Sequence, residues 1–254
     1  RANVADISSL ESALGGGQFE YVVNLSGYID HKSFAQGGAD LIDQHFSGLL
    51  HLVQILDRSV LKGFVQVGSS DEYGASPAPQ REDLREAPIS PYSLGKTAAT
   101  HFMQMMHHTE NFPGVVLRFF LVYGPGQGMG RFLPQIISGC LKGETFPASE
   151  GGQLRDFCHV DDVANAILLA AQSTDVNGEV INIASGQPIS IRTMIEKVRA
   201  MIGQGDPCFG QTPYRDGENM ELYADINKAK RLLSWEPRIA LKKGLEQTIA
   251  SVQE

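Results

Sequence analysis

The sequence has few cysteines, no long apolar run and no excess of positive charge. Its cysteines, Cys140, Cys158 and Cys208, are widely spaced and form no CxxC pair. This argues against a disulfide framework or a zinc site and favours a reducing compartment such as the cytoplasm. No stretch reaches the roughly 18 apolar residues that cross a bilayer. With 21 basic against 29 acidic residues and a net charge of −8, we expect no nucleic-acid-binding surface.

Short apolar strands alternate with amphipathic helices in the first half of the chain. We predict strands at 21–27, 63–70 and 115–124 and helices at 39–56 and 91–109. This alternation is typical of βαβ units, and near-continuous apolar strands indicate a sheet that is covered on both faces. The sequence therefore predicts an α/β fold with a doubly wound parallel sheet.

The second half of the chain has more helix and a loop rich in glycine and proline at 203–217. We predict a sheet domain at 1–125 and a smaller, mostly helical lobe at 126–254, with residues at about 155–185 returning to the sheet. The expected role of the second lobe is substrate binding.

The segment RDFCHVDD, residues 155–162, combines charged residues with a histidine. A metal site that uses His159 is one interpretation. We instead expect no metal, with Asp161 as a helix N-cap and Arg155 and Asp156 as an ion pair between the lobes.

The segment SPYSLGK, residues 90–96, places Tyr92 and Lys96 four residues apart at a predicted helix start. Ser90 can cap that helix, and Pro91 suits its first turn. Residues four apart share a helix face, so the Lys96 ammonium and the helix N-terminus are expected to lower the pKa of the Tyr92 phenol. Such a phenol can exchange a proton with an alcohol or ketone during hydride transfer.

The strand predicted at 63–70 ends in GSSDEYG, residues 68–74. Ligands bind at the carboxyl ends of strands in open parallel sheets, and a serine here could hydrogen-bond the same substrate oxygen as Tyr92. A solvated surface pair of Tyr92 and Lys96 is the alternative, because a YxxxK pattern arises readily by chance. The position of the pair after the strand favours a catalytic site.

Segments along nearly the whole chain resemble, in order, the motifs of one enzyme family: VADI, VVNLSG, GSSDEYG, PYSLGK, LRFFLVYGPGQ, RDFCHVDDVANAI and LLSWEPRIALKKGLEQTI. The family is the extended short-chain dehydrogenases/reductases, specifically the NAD-dependent epimerases/dehydratases that act on nucleotide sugars. GSSDEYG is most similar to the matching segment of GDP-4-keto-6-deoxy-mannose reductases. The resemblance implies a Rossmann-like fold, NAD or NADP as cofactor, and a nucleotide-diphosphate sugar as substrate. It also implies a homodimer formed through a four-helix bundle of helices 39–56 and 91–109.

The resemblance also assigns roles to individual residues. The catalytic residues would be Ser69, Tyr92 and Lys96, with Tyr92 as the acid/base. Lys96 would also hold the nicotinamide ribose. The expected cofactor contacts are Asp6, Ile7, Leu25, Ser26, Gly27, Tyr92, Lys96 and Phe120. The expected substrate contacts are Ser70, Asp71, Leu121, Arg131 and Arg215. Arg215 resembles an arginine that grips the substrate diphosphate, for which a fork-shaped guanidinium is suited.

The chain departs from the family pattern in several places. The sequence contains no GxxGxxG turn, which would receive the cofactor pyrophosphate at a helix N-terminus. Leu121 and His45 stand where many members have asparagine. Ser70 and Asp71 follow Ser69 where dehydratases have an Asp–Glu pair.

Together these features predict an NAD(P)-dependent enzyme that transfers hydride at sugar C4, as a 4-keto reductase or a 4-epimerase. Two alternatives stay open. One is a nucleotide-sugar 4,6-dehydratase, and the other is a non-catalytic relative that keeps the fold for binding or assembly. Without the glycine-rich turn, we expect the chain as given to bind NAD or NADP poorly.

Overall fold

The strands of the computed structural model form three sheets, surrounded by helices. The structure describes residues 2–30, 32–215 and 217–253. The strands are β1 (Tyr21–Asn24), β2 (Gly63–Ser69), β3 (Gly114–Phe119), β4 (Leu121–Tyr123), β5 (Thr145–Ala148), β6 (Leu154–His159), β7 (Val180–Ile183), β8 (Pro188–Ser190), β9 (Asp206–Phe209) and β10 (Glu221–Leu222). The α-helices are α1 (Ile7–Leu14), α2 (Gly38–Ile42), α3 (Gly48–Ile55), α4 (Pro91–Glu110), α5 (Phe132–Leu141), α6 (Val160–Gln172), α7 (Ile191–Ile202), α8 (Asn227–Leu233) and α9 (Leu241–Gln253).

The main sheet has the strand order β1-β2-β3-β7, and all its pairs are parallel. One face packs against α6 and α8, where Val65 and Leu117 are buried with Trp235. The other face packs against α1, α3 and α4, where Phe64 and Val116 are buried. Because each face carries its own apolar core, the strands are apolar on both sides. The predicted doubly wound α/β fold is confirmed.

The predicted strand 115–124 is two strands that belong to different sheets. β3 ends at Phe119 in the main sheet, and β4 pairs in parallel with β6 in a second sheet. The second sheet also includes β8 and β10, and its core lies under α5, α7 and α9. The chain therefore passes from one sheet to the other at Phe120. The second lobe has more strand than the sequence predicted, and the domain boundary near 125 stays a prediction.

The predicted helix at 39–56 is confirmed, but it is not uniform. Between α2 and α3 lies a π-helical turn, Asp43–Ser47, which turns His45 into the interior. The second predicted helix, at 91–109, matches α4. As expected, the Ser90 side chain accepts a hydrogen bond from the Ser93 amide, and Pro91 is the first helical residue.

Two expectations for the segment 155–162 are wrong. Arg155 pairs with Glu218 instead of its neighbour. The carboxylate of Asp156 accepts backbone N–H groups from Ser185, Gly186 and Ala224. Adjacent residues of a strand point to opposite faces, so Arg155 and Asp156 could not pair in β6.

The second wrong expectation concerns the start of α6, where the N-cap is His159 and not Asp161. The His159 side chain accepts a hydrogen bond from the Asp161 amide, with 3.3 Å between Nδ1 and N. Among the described residues, no cluster of His, Cys, Asp or Glu is arranged to hold a metal ion. Within the same residues, no helix is long and apolar enough to span a bilayer.

Strand β1 exposes apolar side chains at one edge of the main sheet. Among the described strands it pairs with β2 alone. Tyr21 and Val23 of the strand are exposed, as is Leu25 directly after it. Unpaired strand edges promote association between chains.

We expect Val23→Lys to reduce self-association of the 254-residue chain, measured by sedimentation velocity. Leu168→Lys, on an exposed position of α6, adds the same charge away from the edge. An equal effect of both substitutions would show that net charge, and not the edge, controls association.

Candidate active site

The predicted catalytic residues meet where β2 ends and α4 begins. Ser69 is the last residue of β2, and a 3₁₀ turn, Ser70–Tyr73, follows it. Tyr92 lies in the first turn of α4, and the Ser69 side chain is close enough to its phenol to influence the phenol's pKa. Ser69 also accepts a hydrogen bond from the Asp71 amide, with 3.2 Å between Oγ and N. The structure thus brings together Ser69 and Tyr92, which the sequence analysis expected to contact the same substrate oxygen.

Lys96 lies one helical turn after Tyr92 and is 5% exposed. Its Nζ donates a hydrogen bond to the Val67 carbonyl of β2, with 2.8 Å between the atoms. Burial lowers the pKa of Lys96 to about 8, against the opposing effect of the Glu72 charge. An ammonium has three N–H donors, so Lys96 has donors beyond the one that it gives to Val67.

The expected lowering of the Tyr92 pKa is wrong. Burial raises the pKa of Tyr92 to about 12, with the charges of Asp71 and Glu72 acting in the same direction, while the neighbouring Ser69 side chain and the Arg131 charge oppose it. Taking a phenolate out of water outweighs the opposing effects. At neutral pH Tyr92 is therefore a protonated phenol, which suits a proton donor.

A buried ion pair supports the catalytic turn. Glu72 is fully buried, and its carboxylate accepts hydrogen bonds from the Ser69 amide, the Thr100 hydroxyl and Arg118 Nε at 2.8, 2.7 and 2.9 Å. Arg118 also bonds Glu86. Sequence reasoning missed this pair. An arginine inside the apolar strand VVLRFF was the available signal, because buried charges are nearly always paired.

Charged residues from the second half of the chain lie near this turn. Arg131 and Arg215 are exposed, and the charge of Arg131 acts on the Tyr92 phenol. Burial lowers the pKa of Arg155, and the nearby Arg215 charge acts in the same direction. Arg215 therefore lies near Arg155, and the charge of Asp71 also acts on the pKa of Arg155.

The residues that follow Arg215 are attached to two parts of the fold. Glu218 pairs with Arg155 of β6, and the Asn219 side chain donates a hydrogen bond to the carbonyl of Gly74, directly after the catalytic turn. Of the other predicted substrate contacts, Ser70 is buried in the catalytic turn. Leu121 is partly buried and packs on the core beneath α5. Their substrate roles stay predictions.

The predicted cofactor residues lie in three places. Leu25, Ser26 and Gly27 follow β1, and the Ser26 amide and hydroxyl bond the Asn24 side chain. The Asp6 carboxylate caps α1 by accepting N–H groups from the two residues after Ile7, and Ile7 itself is partly buried as the first residue of α1.

Phe120 is buried in a cluster with Tyr73 and Ala184. The structure brings the segment after β1 close to Tyr92 through His45, which sequence analysis noted only as a departure. The cofactor roles of Asp6, Ile7 and Phe120 stay predictions.

Comparison with known proteins gives a consistent result. The sequence model of the NAD dependent epimerase/dehydratase family matches residues 1–184. A UDP-glucuronate 4-epimerase of Thermodesulfobacterium geofontis is 27% identical over 253 residues, which cover 97% of this chain and 76% of that protein. A dTDP-glucose 4,6-dehydratase of Streptomyces niveus is 25% identical over 251 residues, covering 98% of this chain and 74% of that protein.

Among solved structures, the UDP-glucuronic acid 4-epimerase from Bacillus cereus, in complex with UDP-glucuronic acid and NAD, superposes with a TM-score of 0.83. It is 26% identical, and the match covers 98% of this chain and 78% of that chain.

Proposed function

Because this chain belongs to the NAD-dependent epimerase/dehydratase family, we propose that it transfers hydride at C4 of a nucleotide-diphosphate sugar, as a 4-epimerase or a 4-keto reductase. The main support is the proximity of the Ser69 side chain to the Tyr92 phenol, one helical turn from the buried Lys96. Relatives with both epimerase and dehydratase names match this chain at low identity. The choice of reaction therefore rests on the site itself.

The site argues against dehydration. Eliminating water needs a second acid/base beside the substrate, and the carboxylate of Glu72 is fully buried and bonded to Arg118. Asp71 is only partly buried. In the dehydratase pattern, however, the aspartate directly follows the catalytic residue, and here Ser70 occupies that position and Asp71 the next one. The arrangement supports proton exchange at one substrate oxygen. Hydride transfer at C4 requires no second acid/base.

The proposed chemistry assigns a separate task to each residue. A nicotinamide cofactor, when bound, supplies or accepts the hydride. Tyr92 donates its proton to the C4 ketone oxygen, and the Ser69 hydroxyl hydrogen-bonds that oxygen. In the oxidising direction Tyr92 must accept the proton. The positive charge of Arg131 then favours the phenolate that is required.

The residues of the site fit one half of the cofactor. Lys96 has N–H donors for ribose hydroxyls. The pyrophosphate needs backbone N–H groups at a glycine-rich helix start, and the given sequence has no GxxGxxG turn.

We therefore expect the 254-residue chain to bind NAD and NADP with millimolar or weaker affinity in calorimetry. Losing several charge-assisted hydrogen bonds, each worth about 1.5–3 kcal/mol, would weaken a micromolar site to this range. Lys96→Met is a useful comparison, since it should weaken the remaining binding further. Micromolar affinity for either cofactor would show that another part of the chain receives the pyrophosphate.

Product analysis tests the proposed reaction. The protein is incubated with saturating cofactor and UDP-, dTDP- or GDP-sugars, and the products are identified by NMR. Inversion at C4, or reduction of a 4-keto sugar, is the expected result. Loss of the C6 hydroxyl would instead identify a dehydratase. Binding of a nucleotide sugar without turnover would favour the non-catalytic alternative.

Arg215 is proposed to bind the substrate diphosphate. We expect Arg215→Ala to weaken nucleotide-sugar binding by about 1.5–3 kcal/mol, the range for a hydrogen bond to a charged group, with cofactor affinity unchanged. Arg58→Ala removes the same charge from an exposed pair with Glu110 and should leave both affinities as they are. Paired titrations in which Arg215→Ala weakens both ligands equally, or neither, would reject the assignment.

We also propose a homodimer and a cytoplasmic location. Helix α4 exposes Leu94 and Met105, apolar side chains that a second copy could cover in a four-helix bundle with α2 and α3. The cytoplasmic location rests on the cysteine pattern.

A further inference from the structure

His45 lies between the segment after β1 and the catalytic tyrosine. It is 4% exposed and belongs to the π-helical turn between α2 and α3. Its ring meets the Tyr92 ring edge-on, with 4.9 Å between the ring centroids and 85° between the planes. Its Nε2 atom lies 2.8 Å from the Tyr28 carbonyl oxygen. One side chain thus contacts both the Tyr92 ring and the backbone beyond β1.

These contacts determine the protonation state of His45. A carbonyl oxygen only accepts hydrogen bonds, so Nε2 must carry the proton. Burial lowers the pKa of His45 to about 4, the Lys96 charge acts in the same direction, and the Tyr28 hydrogen bond opposes both. The ring is therefore neutral at physiological pH, with an unprotonated Nδ1. This Nδ1 is buried and has no hydrogen-bond partner among the described residues.

Gly27 allows the ring to occupy this position. Its φ of +99° lies in the left-handed region, and a Cβ atom there would be 2.2 Å from Cε1 and 2.5 Å from Nδ1 of His45. Gly95 is close on the other side, where a Cβ atom would be 3.2 Å from Cβ of His45. The imidazole is thus enclosed by the backbone after β1 and by α4. Close-packed contacts of this kind leave little freedom for one partner to move without the other.

We propose that His45 is a positioning residue that couples the backbone after β1 to the phenol ring of Tyr92. The inference rests on the proposed function, in which Tyr92 is the acid/base. The Nε2 hydrogen bond fixes Tyr28, the ring edge fixes the orientation of Tyr92, and Gly27 holds the ring between them. A misplacement of a catalytic group by about 1 Å can lower the rate by about two orders of magnitude. His45 therefore acts on turnover through Tyr92.

Substitutions at position 45 separate the two contacts. His45→Gln keeps a side-chain N–H donor and removes the ring, whereas His45→Phe keeps a ring and removes the donor. We expect His45→Gln to lower kcat by about tenfold, with the KM for the nucleotide sugar within about twofold, because the diphosphate is held elsewhere. His45→Phe should have a smaller effect on kcat. Gly27→Ala, which displaces the imidazole from the opposite side, should reproduce the effect of His45→Gln.

An NMR measurement on the 254-residue chain tests the coupling without turnover. With ¹³C-labelled tyrosine, the Tyr92 ring signals, assigned by their loss in Tyr92→Phe, should shift in His45→Gln and Gly27→Ala and shift less in His45→Phe. With ¹⁵N-labelled histidine, His45 should be the Nε2–H tautomer at pH 7. Circular dichroism verifies that each variant is folded.

The outcomes distinguish this proposal from the proposed function. A folded His45→Gln variant with unmoved Tyr92 signals, or with kcat within twofold of wild type, would overturn the positioning role. Equal changes in kcat and KM without a shift of Tyr92 would indicate a general structural role and would also overturn it. If Tyr92→Phe leaves turnover intact, the proposed function fails, whereas shifted Tyr92 signals would still show the coupling.

Discussion

Replacing Tyr92 by phenylalanine is expected to lower kcat by about two orders of magnitude or more, the scale of a lost general acid/base. The substitution removes the hydroxyl that lies near the Ser69 side chain and leaves the ring in contact with His45. The free energy of unfolding should therefore fall by no more than about 1 kcal/mol, the scale of one lost hydrogen bond. Steady-state kinetics at saturating cofactor measure the effect, and urea denaturation measures the stability.

Tyr73 provides the matched control. It is also buried, burial likewise raises its pKa to about 12, and its hydroxyl donates a hydrogen bond to Asn182 at 2.8 Å. Tyr73→Phe should lose about 1 kcal/mol of stability and keep its kcat. The two tyrosines share burial and pKa, so a difference in kcat can only come from position. Turnover of Tyr92→Phe within a few-fold of wild type would reject the catalytic role.

The features that sequence reasoning predicted correctly depend on local patterns. The main sheet and the two long helices follow from apolar periodicity. The proximity of Tyr92 and Lys96 follows from their spacing on one helix face, and the proximity of Ser69 follows from the position of its strand immediately before that helix. The split between β3 and β4 was not predictable, because a single apolar run in the sequence contributes strands to two different sheets.

The features that were missed depend on tertiary contacts. The sign of the Tyr92 pKa shift is set by burial, which neighbouring residues in the sequence do not specify. The partners Glu72 and Arg118 are 46 residues apart. The contact of His45 with Tyr92 depends on a π-helical turn that periodicity does not reveal. In contrast, the pairing of Arg155 with Asp156 could have been excluded from the sequence, since strand neighbours face opposite ways.

The second large effect is expected on stability, at the buried pair of Glu72 and Arg118. Glu72→Gln removes a charge and nearly preserves the side-chain volume, so Arg118 remains buried with Glu86 as its only acidic partner among the described residues. Breaking a buried pair by neutralising one partner typically costs about 3–5 kcal/mol, and Glu86 places the expected loss near the lower end. Urea denaturation measures the loss. A change below about 1 kcal/mol would contradict it.

Two further variants separate the origin of that loss. Glu110→Gln breaks the pair with Arg58 at the surface, where both side chains are exposed, and should cost less than about 1 kcal/mol because water already solvates both charges. In the double variant of Glu72→Gln with Arg118→Met, the cation that Glu72→Gln leaves uncompensated is no longer present. We therefore expect it to be more stable than the sum of the single losses predicts, which would identify the unpaired Arg118 charge as the cause. Additive losses would instead indicate that Glu72 stabilises the fold mainly through the Ser69 amide and the Thr100 hydroxyl.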